Sequence, residues 1–286
     1  MSSLTYVLKN FLIDLVSVIV YLSILIKKRE DNDVRVLIYH SIGEDDDSLP
    51  NKIKELNVNP RLFRSHMNYL KRNSCNIISI PEFYKCYVSE RGFRKITVVV
   101  TFDDGHENVF ENAYPIMEEL SMPAALFVTY DFIENGTAFP WIEGSKLGKP
   151  LSWKQINSMK GLFNVYSHSL SHRNLRTLSD DDLMKECCNS KRLIEERVKS
   201  SVDFFAYPRG SFGSFDARTE KFLKDAGYKL TFLNINCNVK KDSYSFNIRR
   251  TRIINRDTLW RFKLKLAGAY DWLDTLKSYL AKNVKE

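Results

Sequence analysis

Short apolar runs alternate with amphipathic segments along most of this chain. Residues 34–40 (VRVLIYH) and 96–102 (ITVVVTF) are too short and too β-branched for good helices and fit buried strands. Residues 60–72 carry Leu62, Phe63, Met67 and Leu70 at helical spacing, and a second helix is predicted around 109–120. The alternation continues with a strand at 124–129, a helix at 152–160 that Ser152 would cap, and a strand at 162–168. Residues 179–198 read as a strong amphipathic helix, with Ser179 as N-cap and acidic residues in its first turn. A strand at 202–208, a helix at 216–226 and strands at 228–233 and 246–254 complete the pattern. Alternation over about 220 residues predicts a parallel α/β sheet or barrel. In such folds the chemistry sits at the carboxyl ends of the strands.

The first residues break this pattern. Residues 11–26 are nearly all apolar, with Asp14 the only charge. As a helix they would span about 24 Å, short of a ~30 Å hydrocarbon core. Extension back to Leu4 gives the length but brings in Lys9 and Asn10. No small-residue cleavage site follows, which argues against a removed signal peptide. The segment reads as a membrane anchor (residues 1–30), single-pass or lying in the interface. The basic flank Lys27, Lys28 and Arg29 would then put the following domain on the cytoplasmic side. At the other end, residues 258–286 predict a basic amphipathic helix with Trp260, Phe262, Tyr270 and Trp272 interleaved. That helix could rest on an anionic leaflet or pack on the barrel.

Composition narrows the partners. The net charge of +8 over 286 residues is spread along the chain without a dense basic tract, so no nucleic-acid partner is expected. The five cysteines include the adjacent Cys187 and Cys188 and no CxxC spacing. This is neither a disulfide framework nor a cysteine zinc site, and it favours a reducing compartment.

Four predicted strands end in chemically capable residues: Tyr39-His40, Asp103-Asp104-Gly105, Ser167 to His172 (SHSLSH) and Tyr207 to Gly210 (YPRG). Adjacent carboxylates at the end of a buried strand must be solvated, paired with a cation or used. The residues alone leave a hydrophilic turn as the alternative. His168 and His172 would share a face on a helical turn, a common half of a zinc site. A carboxylate from another strand end would complete two histidines and an aspartate with an open position, the layout of a catalytic zinc centre. A solvated loop is the alternative for the isolated HxxxH.

The stretches TFDDG, SHSLSH and FAYPRG, in this order, resemble the NodB-homology polysaccharide deacetylases, carbohydrate esterase family four. The resemblance runs over residues 34–257 and includes LSW at 151–153, AGY at 226–228 and TRII at 251–254. It implies a distorted (β/α) barrel, with residues 31–257 as the deacetylase domain. It also implies Asp103 as catalytic base, and Asp104, His168 and His172 as ligands of a divalent metal. Zinc is the default, and cobalt, nickel or iron would be accepted. The backbone N–H of Arg209 would serve as an oxyanion donor. The implied reaction removes N-acetyl groups from an N-acetylhexosamine-containing polysaccharide or lipid-linked saccharide. An O-acetyl esterase or an inactive sugar-binding relative on the same fold is the alternative.

Two departures stand out. Ala206 and Arg209 occupy positions where the family has an arginine and an aromatic, so the arginine that orients the base has no counterpart in the motif. The late Leu-His-Asp motif is also missing, and no histidine follows His172. However, LIYHSI at 37–42 resembles the early Tyr-His stretch of the poly-N-acetylglucosamine deacetylase branch, which implies His40 as the general acid. His66, in a helical segment, is expected to be structural, and His106 receives no role.

Overall fold

In a computed structural model describing residues 3–26, 34–89, 93, 96–142, 146–239 and 245–283, nine strands form one parallel sheet. The basic flank at 27–29 and the acidic residues after it lie outside the described residues. In chain order the strands are β1 (Val34–Tyr39), β2 (Asn76–Ile77), β3 (Thr97–Phe102), β4 (Ala124–Val128) and β5 (Phe163–Ser167). They continue with β6 (Phe204–Ala206), β7 (Leu230–Leu233), β8 (Ile248–Arg249) and β9 (Thr251–Arg252). Their spatial order is β8-β7-β6-β5-β4-β3-β1-β9, with β2 added beside β3.

The two ends of that row are neighbours in sequence. β8 pairs with β7 and β9 pairs with β1, yet only Arg250 separates them. The sheet therefore curls into a nearly closed barrel with Arg250 at its seam, as the resemblance implied. The single strand predicted over 246–254 is in fact two, because the chain changes pairing partner at that residue.

β1, β3, β4, β6 and β7 are buried on both faces along their whole length, as expected for a parallel sheet covered by helices. One set of side chains, including Val34, Val36, Val99, Phe127 and Phe232, forms one core cluster. The alternate set, including Leu37, Tyr39, Val100 and Phe102, packs against Phe63, Met67 and Leu70 of helix Pro60–Arg72. Asn59 caps that helix and Pro60 opens it. His66 lies on its buried face, with Nε2 2.7 Å from the Asp257 carbonyl oxygen, Nδ1 3.2 Å from the Tyr39 hydroxyl, and its ring stacked on Phe262. This geometry matches a structural role.

Ser152 closes a capping box with Gln155 at helix Trp153–Ser158. The long helix opened by Ser179 contains a π-helical stretch, Met184–Asn189, between α-helical Asp180–Leu183 and Ser190–Val198. The C-terminal segment is two helices, Leu259–Ala267 and Asp271–Asn283. Gly268 ends the first with φ of +91°, a conformation that costs glycine little. Phe262 and Leu266 of the first helix sit in the core. Helix Ser3–Ile26 lies beside this pair, and its Thr5–Ile26 portion is long and apolar enough to cross a membrane by length and composition.

Candidate active site

β3 delivers Asp103 and Asp104 to the barrel rim. The backbone N–H of Asp103 still donates to the Tyr39 carbonyl, continuing the strand pairing. The chain then turns sharply, with φ of +70° at Asp104 and +96° at Gly105. A Cβ on Gly105 would meet Ile133 at 3.0 Å in a backbone conformation that side chains rarely adopt. Both aspartates are almost fully buried, which rules out a merely hydrophilic turn.

The two carboxylates face different partners. Asp103 is clamped by Arg250, with Nη1 donating to Oδ1 at 2.7 Å and Nη2 to Oδ2 at 2.6 Å. Arg250 also donates to the Leu233 carbonyl and the Thr101 hydroxyl, and its guanidinium lies over the rings of Phe127 and Phe232. Burial alone would raise the Asp103 pKa, but Arg250 and then His168 outweigh it and hold the carboxyl below its usual range. Arg250 supplies the cation that the third motif lacks. The sequence did not single it out, because residues 246–254 also hold Arg249 and Arg252.

Asp104 faces imidazoles. Its Oδ1 lies 3.4 Å from His168 Nε2 and 3.5 Å from His172 Nε2, and its Oδ2 lies 3.4 Å from His106 Nε2. Burial opposes its ionisation, yet the surrounding histidines hold it well below the ordinary carboxylate range. His106 in turn places Nδ1 3.1 Å from the Leu147 carbonyl oxygen. The only pointer to His106 in the sequence was its position just after the double aspartate.

His168 follows β5, and its Nδ1 donates to the Ala206 carbonyl at 2.8 Å. That bond fixes the tautomer and leaves the Nε2 lone pair aimed at Asp104, the arrangement seen in histidine metal ligands. Burial lowers its pKa, but Asp103 and Asp104 more than compensate, so the net shift is upward. Burial dominates at His172 and takes it down to about 4.

The HxxxH segment is a loop rather than the helical turn considered from its spacing. Ser169 and His172 have φ of +72° and +60°. Glu186, from the π-helical stretch, holds this loop: Oε2 accepts the backbone N–H groups of Leu170 (3.0 Å) and Ser171 (2.9 Å), and Oε1 accepts the Ser171 hydroxyl. A π-bulge at a functional site is a recurrent device.

The donor set fits a divalent cation. The ligand atoms of Asp104, His168 and His172 all lie within 4.8 Å of one another. Asp104 Oδ1 is buried and has no hydrogen bond among the described residues. With metal–donor distances of 2.0–2.2 Å, donors in a tetrahedral site sit about 3.4 Å apart, which matches the two Asp104–histidine separations.

His40, just past β1, lines a small cleft with Asp104, His106, Asn57 and Trp141. Its Nδ1 is buried without a hydrogen bond. Burial takes its pKa down to about 4, although Asp104 and Asp103 pull the other way. Arg209 stands apart, with φ of +64°, an exposed side chain and no hydrogen bond or ion pair to the other five predicted residues among those described. It follows β6, whose last carbonyl anchors His168. Gly210 must be glycine, since a Cβ would strike Asn234 at 2.6 Å.

Comparison with known proteins agrees with this geometry. The family model described as "Polysaccharide deacetylase" matches residues 90–231. A poly-beta-1,6-N-acetyl-D-glucosamine N-deacetylase of Staphylococcus aureus (strain MSSA476) is 26% identical over 219 residues, 72% of this chain and 73% of the relative. The Streptococcus pyogenes deacetylase PplD, solved in complex with acetate, superposes with a TM-score of 0.72 at 22% identity, covering 83% of this chain and 99% of that one. IcaB from Ammonifex degensii gives 0.69 at 20% identity, covering 85% and 98%. With motif and family model in agreement over residues 90–231, and the barrel shared with solved deacetylases, the chain carries a polysaccharide deacetylase domain of the NodB-homology type, carbohydrate esterase family four.

Proposed function

We propose that this chain is a metal-dependent N-deacetylase acting on an N-acetylhexosamine polymer of the poly-N-acetylglucosamine kind, attached to a membrane through its N-terminal helix. The observation that carries this reading is the juxtaposition of the Asp104, His168 and His172 donors with an Arg250-clamped Asp103. The polymer for which the Staphylococcus aureus relative is named supports the choice of substrate. A lipid-linked saccharide is the variant that membrane attachment would favour. An inactive sugar-binding relative has no need of the base and three metal donors together.

Asp104, His168 and His172 would hold the metal, with zinc the default and cobalt, nickel or iron compatible with the same donors. The chemistry such a cation would supply when bound is polarisation of the acetyl carbonyl and activation of water as a nucleophile. Asp103 accepts the proton of the attacking water. Arg250 keeps this carboxylate ionised and fixes its plane while leaving lone pairs on both oxygens. The N–H of Arg209, exposed at the β6 rim, is the candidate donor to the oxyanion. Water oxygen bonds to the acetyl carbon, the carbon–nitrogen bond breaks, and His40 delivers a proton to the departing amine. Burial keeps the His40 ring neutral at rest, so the proton it delivers must be the one Asp103 took from the attacking water, passed on within the cycle. The products are acetate and a free amino sugar.

The five cysteines are all unpaired, which supports a reducing, cytoplasmic environment for the domain. The deciding experiment is acetate release from poly-N-acetylglucosamine oligomers, with metal content measured on the same sample. Metal-loaded protein that releases no acetate from N-acetyl oligomers, yet cleaves O-acetyl esters, would transfer the reading to an esterase.

A further inference from the structure

Helix Ser3–Ile26 has a polar stripe, Tyr6, Asn10, Asp14 and Ser17, at spacings of four, four and three. Each of these residues is bonded to the catalytic domain. The Tyr6 hydroxyl donates to Glu55 (2.6 Å), and Arg256 donates to Asn10 (2.5 Å). Arg261 and the Tyr270 hydroxyl both donate to Asp14 Oδ1 (2.5 and 2.6 Å), and Trp272 Nε1 donates to Ser17 (3.2 Å). Ile13, Val18 and Tyr21 pack beside Leu264, Ala269 and Tyr270. On the opposite face Leu8, Phe11, Leu15, Ile19 and Leu22 are 48–62% exposed.

Docking from Tyr6 to Tyr21 covers about 22 Å of helix. A helix crossing a ~30 Å hydrocarbon core would drag Glu55, Arg256 and Arg261 into lipid along with it, at a cost of several kcal/mol. The same contacts cost nothing if the helix lies flat. Lys9 and Arg252 line the cleft between helix and domain, and neither forms an ion pair with an acidic side chain among the described residues. Apolar residues on one face beside unpaired cations match the surface of an anionic leaflet.

We infer that the N-terminal helix is a monotopic strap, lying in the plane of an anionic membrane with its leucine face in one leaflet and its polar stripe fixed to the barrel. One consequence concerns the active site. Helix Asn51–Leu56 presents Glu55 to Tyr6, while its Ile53 and Leu56 line the cleft of His40 and Asp104. One six-residue helix therefore touches both the strap and the catalytic mouth, which places that mouth close to the lipid surface. A flat helix also removes the charge rule for crossing segments as an argument about sidedness.

This inference rests on the membrane attachment proposed above, and the test separates the two. Full-length protein carrying an environment-sensitive fluorescent amino acid at Leu8, Leu15 or Leu22 is mixed with vesicles of equal parts phosphatidylglycerol and phosphatidylcholine. Depth is read with lipids quenched at defined carbons. A strap gives one shallow depth at all three positions, with binding weakened by salt. A probe at Leu15 near the midplane, with Leu8 and Leu22 shallow, would overturn the flat geometry while leaving attachment intact. No vesicle binding, with dimers seen by light scattering, would overturn both and assign the leucine face to a second copy. Acetate release from soluble oligomers by each labelled protein confirms that the domain is folded.

Discussion

Arg250 holds both oxygens of Asp103 from the seam where the barrel closes, at 2.7 and 2.6 Å. It lies between two strands that pair with opposite ends of the sheet. Closing the barrel and orienting Asp103, the proposed base, are therefore one structural event. At the position where the family carries its arginine, Ala206 instead offers a backbone carbonyl to His168.

Replacing Arg250 by Gln should slow turnover on the order of 10²-fold through loss of orientation. It should also move the acid limb of kcat/KM upward. The sign follows from the base: Asp103 must be ionised to accept a proton, Arg250 holds its pKa down, and without Arg250 burial takes it up. Removing one partner of a buried ion pair also costs roughly 3–5 kcal/mol of stability, so the profile should be measured at low temperature. Arg250→Lys should recover part of the shift. A Gln variant whose acid limb stays in place would show that Arg250 acts only in folding.

Asp104→Ala, His168→Ala and His172→Ala should each lose metal and activity together, whereas Asp103→Asn should keep the metal and lose turnover. Elemental analysis of the purified variants checks both. Metal affinity of the wild type should weaken as pH falls through the raised value of His168, because the proton and the cation compete for the same Nε2. Full metal occupancy in His172→Ala would break the assignment.

The strands were legible because β-branched runs bounded by turn residues have few other uses. The double aspartate was legible because burying two adjacent charges demands a reason. Arg250 was not, since its value arises only when the sheet closes and β8 and β9 separate at that residue. The shape of the HxxxH loop was hidden for a similar reason. Its two left-handed residues are held by Glu186, which approaches from a π-helical stretch later in the chain. Gly268 carried the break in the C-terminal segment, but a lone glycine in an amphipathic run does not announce its φ.

Glu186 yields the next prediction. It is 2% exposed and accepts two backbone N–H groups in the segment joining the two histidines. Glu186→Ala leaves those donors buried and unpaired and frees the loop, so metal should bind about 10-fold more weakly with every ligand present. Titration with a chromophoric chelator reads this directly. Glu186→Gln, which retains one acceptor oxygen, should lose less. Unchanged affinity in the Ala variant would mean that the backbone of residues 168–172 holds its shape unaided.

His40 gives the most discriminating test. An amide expels an amine, a poor leaving group unless it is protonated. Of the three histidines outside the metal pair, His66 is engaged on both ring nitrogens, and His106 is held between Asp104 and the Leu147 carbonyl. His40 alone keeps a buried nitrogen without a hydrogen bond, in the cleft beside Asp104. With its pKa down at about 4 through burial, the ring is neutral at pH 7 in the absence of metal and substrate, so any proton it donates is gained during the reaction. His40→Ala should therefore retain metal while kcat on an N-acetyl oligomer falls by roughly 10²–10⁴-fold. An acetyl ester with a good leaving group needs little protonation and should lose far less. The ratio of the two rates in the variant, relative to wild type, measures the proton donated to nitrogen. Equal losses on amide and ester would show that His40 shapes the cleft rather than protonating the amine.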